Sequence, residues 1–225
     1  HRDNFVKLVN EGYYDSTLFH RVIKDFMIQA GDPDSKTAKK GQMLGSGGPD
    51  YKIDAEIVFP THFHKRGALA AARQGDQVNP MKKSSGSQFY VVTGRKLGDT
   101  ELDGLANSLR NKQMQGIFNR LAMEHRDSII EMQRRGDRDG LNALQQKLIA
   151  QTEAEASKEQ APALTNEMRK AYKEVGGAPH LDGDYTVFGE VIEGMETIDR
   201  IEKAKTDGRD RPEDDIRIIS MKVVK

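Results

Sequence analysis

The spacing of apolar residues changes twice along the chain, and this change constrains the fold more than any other feature. In residues 1–94 and again after Pro179, short runs of β-branched and aromatic residues are separated by Pro and Gly turns, which is typical of strands. In residues 95–179 apolar side chains instead recur at steps of three and four, which is typical of amphipathic helices. The sequence therefore predicts a discontinuous β-rich domain, residues 1–94 and 180–225, with a helical insertion at 95–179.

The β-rich parts contain seven strand candidates and two short helices. A helix is predicted at 3–12 because apolar residues from Phe5 to Val9 share one face, and a second helix is predicted at 193–202. The strand candidates are 18–22, 26–29, 53–59, 67–73, 88–93, 185–191 and 216–224. This order of elements predicts a small, mostly antiparallel β domain with two helices.

The insertion reads as a helical hairpin. The helical spacing is interrupted at Gly136 to Gly140, where the sequence is GDRDG, and it resumes at Leu141. A shorter helix is predicted to begin after Thr165, and two glycines at 176 and 177 end it. An out-and-back helical pair returns the chain close to its starting point, so the β domain need not be disturbed.

Composition excludes several classes of protein and site. Lys and Arg number 35 and Asp and Glu number 35, so bulk charge does not indicate a nucleic-acid partner. The absence of cysteine excludes disulfides, thiol catalysis and thiolate metal sites. No apolar stretch approaches the roughly 20 residues of a membrane span, so we expect a soluble protein. Its compartment, whether cytoplasm or bacterial periplasm and cell envelope, stays open.

Three short motifs are too weak to indicate a cofactor or metal. The glycines from Gly45 to Gly48 lack the Gly-Lys-Ser/Thr of a phosphate-binding loop. The pair His62 and His64 has no third ligand nearby in sequence. The calcium-loop-like start at Asp137 has Leu148 where the bidentate Glu is required. We therefore predict neither a metal nor an organic cofactor.

Three sequence blocks carry a resemblance to a known family. They are FHRVIKDFMIQ at 19–29, GSQFYV at 86–91 and LDGDYTVFG at 181–189. With these blocks in this order, the chain resembles the cyclophilin family of peptidyl-prolyl cis–trans isomerases over residues 3–94 and 180–224. The resemblance implies an eight-stranded antiparallel β-barrel closed by two helices. It also implies an exposed groove that binds proline-containing polypeptides and assists their folding.

The resemblance also assigns the site. It makes Arg21 the catalytic arginine and Gln29 the residue that orients it and contacts the substrate backbone. Arginine suits this task because its guanidinium stays charged and offers a rigid fork of N–H donors. The residues that match the family's proline pocket are Phe26, Met27, Tyr90 and Leu181. The main chain that aligns the substrate in the family is matched by Ala72 to Gln74. The full predicted set of substrate contacts is His20, Phe26, Met27, Ala72, Arg73, Gln74, Gln88, Phe89, Tyr90, His180, Leu181 and Tyr185.

The chain departs from the usual family pattern at several of these positions. Arg73 replaces a common asparagine, Tyr90 a frequent phenylalanine and Tyr185 a frequent histidine. His180 stands where the drug-sensitive members have tryptophan, so we expect weak binding of cyclosporin. The family also has two strands before the helix predicted at 3–12. We therefore expect that roughly 20 to 30 residues, enough for two strands and their turns, precede His1 in the full protein.

Two alternatives remain open. The insertion could be an arm that captures client chains or a protein partner, or it could be a stabilising or oligomerising appendage. The whole chain could likewise be a proline-peptide binding or scaffold module whose catalysis has lapsed, acting through the helical arm. The presence of both Arg21 and Gln29 favours the enzyme.

Overall fold

A five-stranded antiparallel sheet positions most of the residues discussed below. The computed structural model describes residues 1–158 and 164–224. In these residues the strands are β1 Arg21–Ile23, β2 Met27–Ala30, β3 Lys52–Ile53, β4 Ala68–Ala71, β5 Ser84–Ser85, β6 Phe89–Val92 and β7 Val187–Glu190. The five-stranded sheet has the strand order β1-β2-β6-β4-β7, and β3 and β5 form a separate two-stranded sheet.

The central strand β6 is buried at all four residues because both faces of the sheet are apolar. Side chains alternate along a strand, so Tyr90 and Val92 lie on one face and Phe89 and Val91 on the other. The Tyr90 face forms a core cluster that includes Met27. The opposite face is covered by two helices, α1 (Arg2–Asn10) and α6 (Met195–Glu202). Both helices were predicted, and their existence is confirmed.

The chain divides into two compact units, of which the second comprises Gly98–Thr165. It contains three helices, α2 (Asp99–Glu124), α3 (Arg126–Arg135) and α4 (Arg138–Ala156). Ile117 and Leu121 of α2 pack with Leu148 of α4 in a small core. The predicted break between helices is confirmed: Gly136 adopts a left-handed φ of 68°, and the Asp137 carboxylate caps α4.

The second unit is shorter than the predicted insertion of 95–179. A further helix, α5 (Asn166–Glu174), groups with the first unit. Its Met168 and Tyr172 are fully buried, and the carbonyl oxygen of Tyr172 accepts the backbone N–H of Leu97. The amphipathic pattern identified α5 as a helix, but the pattern does not say which core the apolar face joins.

The predicted closing strand at 216–224 is wrong as a regular strand. Its pairing is confined to residues 16–19, where Ile218 exchanges backbone hydrogen bonds with Ser16 and Thr17. Beyond this point Ile219 is 85% exposed. The candidate at 53–59 is likewise reduced to β3. The antiparallel sheet with flanking helices is therefore confirmed, whereas the closed eight-stranded barrel stays a prediction.

None of the helices in the described part of the chain is both long enough and apolar enough to cross a membrane.

Candidate active site

A cavity of about 320 Å3 opens on the Tyr90 face of the sheet. Most of the residues that the sequence predicted for the site line this cavity: His20, Arg21, Phe26, Met27, Gln29, Ala72, Arg73, Tyr90, Leu181 and Tyr185. Three lining residues were not predicted, namely Leu44, Gly45 and Arg209. The structure therefore brings together residues of β1, β2 and β6 with residues of the segments between strands and of the loop after α6.

Strand register places Arg21 in the cavity. Arg21 is the cross-strand partner of Gln29, which is in turn the partner of Tyr90. Directly opposite residues in antiparallel strands project from the same face, so the three side chains point to the same side of the sheet. The Arg21 side chain is 43% exposed, and its Nε lies 3.6 Å from Oδ2 of Asp210. Its guanidinium is thus accessible from solvent and stands beside a carboxylate.

An apolar wall adjoins this guanidinium. Met27, Tyr90 and Leu181 are buried in one core cluster, and the partly buried Phe26 packs against that cluster. The ring of Phe26 also contacts the ring of His180, with centroids 4.9 Å apart. His180 itself does not line the cavity but supports Phe26 from outside. A pyrrolidine ring placed against this wall would gain roughly 25 cal/mol for each Å2 of apolar surface removed from water.

Gln29 is held by a chain of side-chain hydrogen bonds. Its Nε2 donates to Oε1 of Gln88 at 3.0 Å, and Nε2 of Gln88 donates to the carbonyl oxygen of Gly47 at 2.8 Å. Among the hydrogen bonds of the described residues, none joins Gln29 to Arg21. The orienting contact that the resemblance implied for Gln29 is therefore absent in this conformation, and Asp210 is the group beside Arg21.

A second cavity, of about 270 Å3, adjoins the first and shares Gln29, Ala72 and Arg73 with it. The predicted residues Gln74 and Gln88 line this second cavity. The Arg73 side chain between the two cavities is fixed: its Nε donates to the carbonyl oxygen of Asp184, and its guanidinium lies 4.3 Å over the ring of Tyr185. All the predicted residues except His180 and Phe89 therefore line one or both of these neighbouring cavities.

One predicted contact is corrected by the structure. Phe89 lies on the opposite face of the sheet, where its ring meets Phe5 edge-on at 5.2 Å and Tyr14 at 5.3 Å. Because side chains alternate along β6, Phe89 and Tyr90 cannot both face the cavity. Phe89 is a core residue and not a substrate contact.

His20 lies against the cavity without a hydrogen-bond partner. It is 5% exposed, and both ring nitrogens are buried and unbonded. Burial lowers its pKa below the usual value, with the charges of Arg21 and Arg211 acting in the same direction and Asp32 opposing. The imidazole is therefore neutral at pH 7, and it is buried in the wall of the cavity.

A buried hydrogen-bond chain that sequence reasoning missed holds the back of the cavity. The Tyr172 hydroxyl donates to Oδ2 of Asp182 at 2.5 Å, and Oδ1 of Asp182 lies 2.9 Å from Nδ1 of His64. The other ring nitrogen of His64 lies 3.0 Å from the hydroxyl of Tyr90. These residues are far apart in sequence, and the only sequence clue was the tyrosine at position 90. Burial and the charge of Asp182 raise the pKa of Tyr172, so its phenol stays protonated.

A buried carboxylate fixes the glycine loop that forms another side of both cavities. Oδ2 of Asp32 accepts the backbone N–H of Gly45 at 2.5 Å and that of Gly47 at 3.3 Å, and Asp32 is fully buried. A Cβ atom on Gly47 would collide with this carboxylate, so only glycine fits there. No pattern in the sequence predicts this contact.

The two histidines considered as metal ligands lie in different surroundings. His64 is fully buried between Asp182 and Tyr90, and His62 is exposed. Across residues 1–158 and 164–224, no group of three or more His, Asp or Glu side chains could hold a metal ion.

The family model described as "Cyclophilin type peptidyl-prolyl cis-trans isomerase/CLD" matches residues 1–223. A protein of Staphylococcus saprophyticus, named provisionally as a peptidyl-prolyl cis-trans isomerase, is 30% identical over 99% of this chain and 79% of its own length. A Staphylococcus aureus protein with the same name is 29% identical over 98% of this chain and 79% of its own length. These alignments run through the helical segment.

Structural comparison agrees on the fold. A crystal structure of a Cryptosporidium parvum cyclophilin type peptidyl-prolyl cis-trans isomerase matches with a TM-score of 0.52 and 21% identity, covering 100% of this chain and 84% of that one. The family match extends over both compact units and includes the strands that surround Arg21. The chain therefore belongs to the cyclophilin-type peptidyl-prolyl cis–trans isomerases.

Proposed function

We propose that this isomerase binds proline-containing polypeptides in the cavity around Arg21 and rotates the X–Pro bond there. This assignment rests on one observation: a solvent-accessible guanidinium and an apolar wall line the same cavity. The Cryptosporidium parvum protein was crystallised in the presence of the dipeptide Ala-Pro, which supports proline as the recognised residue.

The reaction needs stabilisation of a twisted amide. Rotation about a peptide bond has a barrier of about 18–20 kcal/mol because the nitrogen lone pair is conjugated with the carbonyl. Uncatalysed X–Pro exchange takes tens to hundreds of seconds. In the twisted state conjugation is lost and the proline nitrogen can accept a hydrogen bond. No bond is formed or broken, so the chemistry requires no cofactor.

Arg21 supplies the hydrogen-bond donor to that nitrogen. The planar amide nitrogen is a poor acceptor, so the hydrogen bond forms mainly in the twisted state and lowers the barrier selectively. The wall of Phe26, Met27 and Leu181 holds the proline ring while the preceding carbonyl turns. Gln29, fixed by Gln88, and the main chain at Ala72 align the peptide backbone on both sides of the proline.

Two-dimensional exchange NMR on an Ala-Ala-Pro-Phe peptide tests this function. We expect saturable acceleration of cis–trans exchange, and addition of Ala-Pro should compete with the peptide. Exchange at the uncatalysed rate would contradict the enzyme. If the peptide binds without acceleration, the alternative of a lapsed proline-peptide binding module is correct.

The helical segment has a separate proposed role as a contact for client chains. In the second unit, Met114 and Phe118 of α2 and Ile149 of α4 surround an apolar groove. Met123, near the end of α2, is 65% exposed. These side chains could bind unfolded segments of a client whose prolines are then isomerised.

A deletion tests the client role. Residues 98–165 are replaced by a short Gly-Ser linker, while α5 is kept because Tyr172 contributes to the buried hydrogen-bond chain. We expect unchanged turnover of short peptides but slower refolding of a proline-limited protein. If both rates stay unchanged, the segment is a stabilising or oligomerising appendage.

A further inference from the structure

The charged side chains that line the catalytic cavity are all positive. Its lining contains three arginines, Arg21, Arg73 and Arg209, and no Asp or Glu among the residues that the structure describes. The chain as a whole is neutral, so this excess is local. A cavity lined by charges of one sign attracts ligands of the opposite sign.

Two of these arginines already have carboxylate partners. The Nε of Arg21 lies 3.6 Å from Asp210, and Nη1 of Arg73 lies 2.6 Å from Oδ1 of Asp76. The Arg73 side chain is also 3% exposed and bonded to backbone carbonyls, so its N–H groups are occupied. Neither of these two guanidinium groups is well placed to select a charged substrate side chain.

Arg209 differs from both. It is exposed at the cavity, and no salt bridge of its guanidinium is found within residues 1–158 and 164–224. Two carboxylates are close to Arg209 in sequence, and both have other partners. Oδ2 of the adjacent Asp210 lies 3.6 Å from the Nε of Arg21. Oδ1 of Asp207 accepts the backbone N–H of Arg209 at 2.8 Å and that of Arg211 at 3.1 Å. The Arg209 side chain is therefore open to a ligand.

The loop that carries Arg209 is well fixed. The backbone N–H of Asp207 donates to the carbonyl oxygen of Arg211, and Thr206 and Pro212 form an antiparallel bridge. The buried Arg211 donates to the carbonyl oxygens of Lys39 and Gln42, which ties this loop to the segment leading to the glycine loop. A fixed backbone holds the Arg209 guanidinium close to the place where a substrate passes.

We propose that Arg209 is a specificity-determining residue that binds an acidic side chain immediately before or after the substrate proline. This inference rests on the proposed function and names its preferred substrates, Glu-Pro or Pro-Glu sequences. A guanidinium pairs with a carboxylate through two parallel hydrogen bonds. Because the pair is solvent-exposed, the preference is moderate, roughly two- to fivefold, and decreases with salt.

Two peptide sets test the preference. Ala-Xaa-Pro-Phe and Ala-Ala-Pro-Xaa peptides carry Glu, Gln or Lys at Xaa, and they are acetylated and amidated so that Xaa has the only charge. In at least one set we expect kcat/KM to be highest for the Glu peptide, lower for Gln and lowest for Lys. The difference should arise mainly because KM increases in the same order. Arg209→Gln should reduce the Glu to Gln ratio to near one, whereas Arg209→Lys should keep part of it.

Arg200→Gln is the matched control, since it removes the same charge from an exposed position on α6 away from the cavity. It should keep the wild-type ratio. Equal rates for Glu and Gln peptides in both sets, or a ratio that Arg209→Gln leaves unchanged, would overturn the inference. If wild type turns over no peptide, the proposed function fails, and peptide affinities measured by calorimetry decide the Arg209 inference separately.

Discussion

The carboxylate of Asp210 lies 3.6 Å from the Nε of Arg21. Asp210 adopts a left-handed φ of 63°, and its carbonyl oxygen accepts the backbone N–H of Val22. Val22, which follows Arg21 in sequence, therefore anchors the backbone of Asp210, and the carboxylate of Asp210 lies beside the Arg21 guanidinium. We therefore expect Asp210 to position the side chain of Arg21.

Asp210→Asn should lower kcat roughly two- to fivefold with a smaller change in KM, because an exposed ion pair of this kind contributes about 0.2–1 kcal/mol. Asp214→Asn removes a neighbouring exposed carboxylate that lines neither cavity and should have no effect. The measurement is peptide exchange at low salt. Equal kcat values for the two variants would exclude a positioning role for Asp210.

The Tyr172 hydroxyl should contribute to stability through Asp182. Tyr172→Phe leaves one oxygen of a fully buried carboxylate without its donor, which costs about 1–3 kcal/mol in the free energy of unfolding. Urea unfolding measures this difference. The control is Tyr51→Phe, which removes an exposed hydroxyl bonded to Asn4 and should cost much less. Equal losses in the two variants would show that the buried chain is not a stabilising unit.

His20 should make stability depend on pH. Its folded pKa is lowered from the usual 6.5, chiefly by burial. As pH falls below about 6.5, the unfolded chain binds a proton at His20 that the folded chain does not bind. The free energy of unfolding therefore decreases as the pH decreases between the unfolded and the folded pKa of His20. His20→Gln should reduce the slope of the unfolding free energy between pH 7.5 and 5, whatever its effect at neutral pH. The exposed His62→Gln is the control, and equal slopes in all three proteins would contradict the assignment.

Strand alternation and the three sequence blocks were sufficient to predict most of the residues that line the first cavity. Arg21, Gln29 and Tyr90 lie on one face because their strands are in register. The same block that contains Tyr90 led to the wrong placement of Phe89. A block shared with a family identifies a strand, but it does not distinguish which of two adjacent residues faces the groove.

The rest of the site lies on loops, where no periodicity reports a contact. Gly45 reaches the cavity because Asp32 binds its backbone N–H, and Arg209 does so because Asp207 and Arg211 fix its loop. Such contacts join residues more than ten positions apart or depend on one turn conformation. The grouping of α5 with the first unit could not be predicted for a similar reason, since the spacing of its apolar residues is the same whichever core it joins.

The rate of X–Pro exchange in Arg21 variants tests whether the Arg21 guanidinium is the hydrogen-bond donor to the twisted amide. We expect Arg21→Ala to lower kcat/KM at least tenfold and Arg21→Lys to lower it less, because lysine keeps the charge but not the rigid fork. Arg2→Ala, at an exposed position on α1, is the control and should match wild type. Comparable kcat/KM for Arg21→Ala and wild type would contradict the proposal that this guanidinium stabilises the twisted amide.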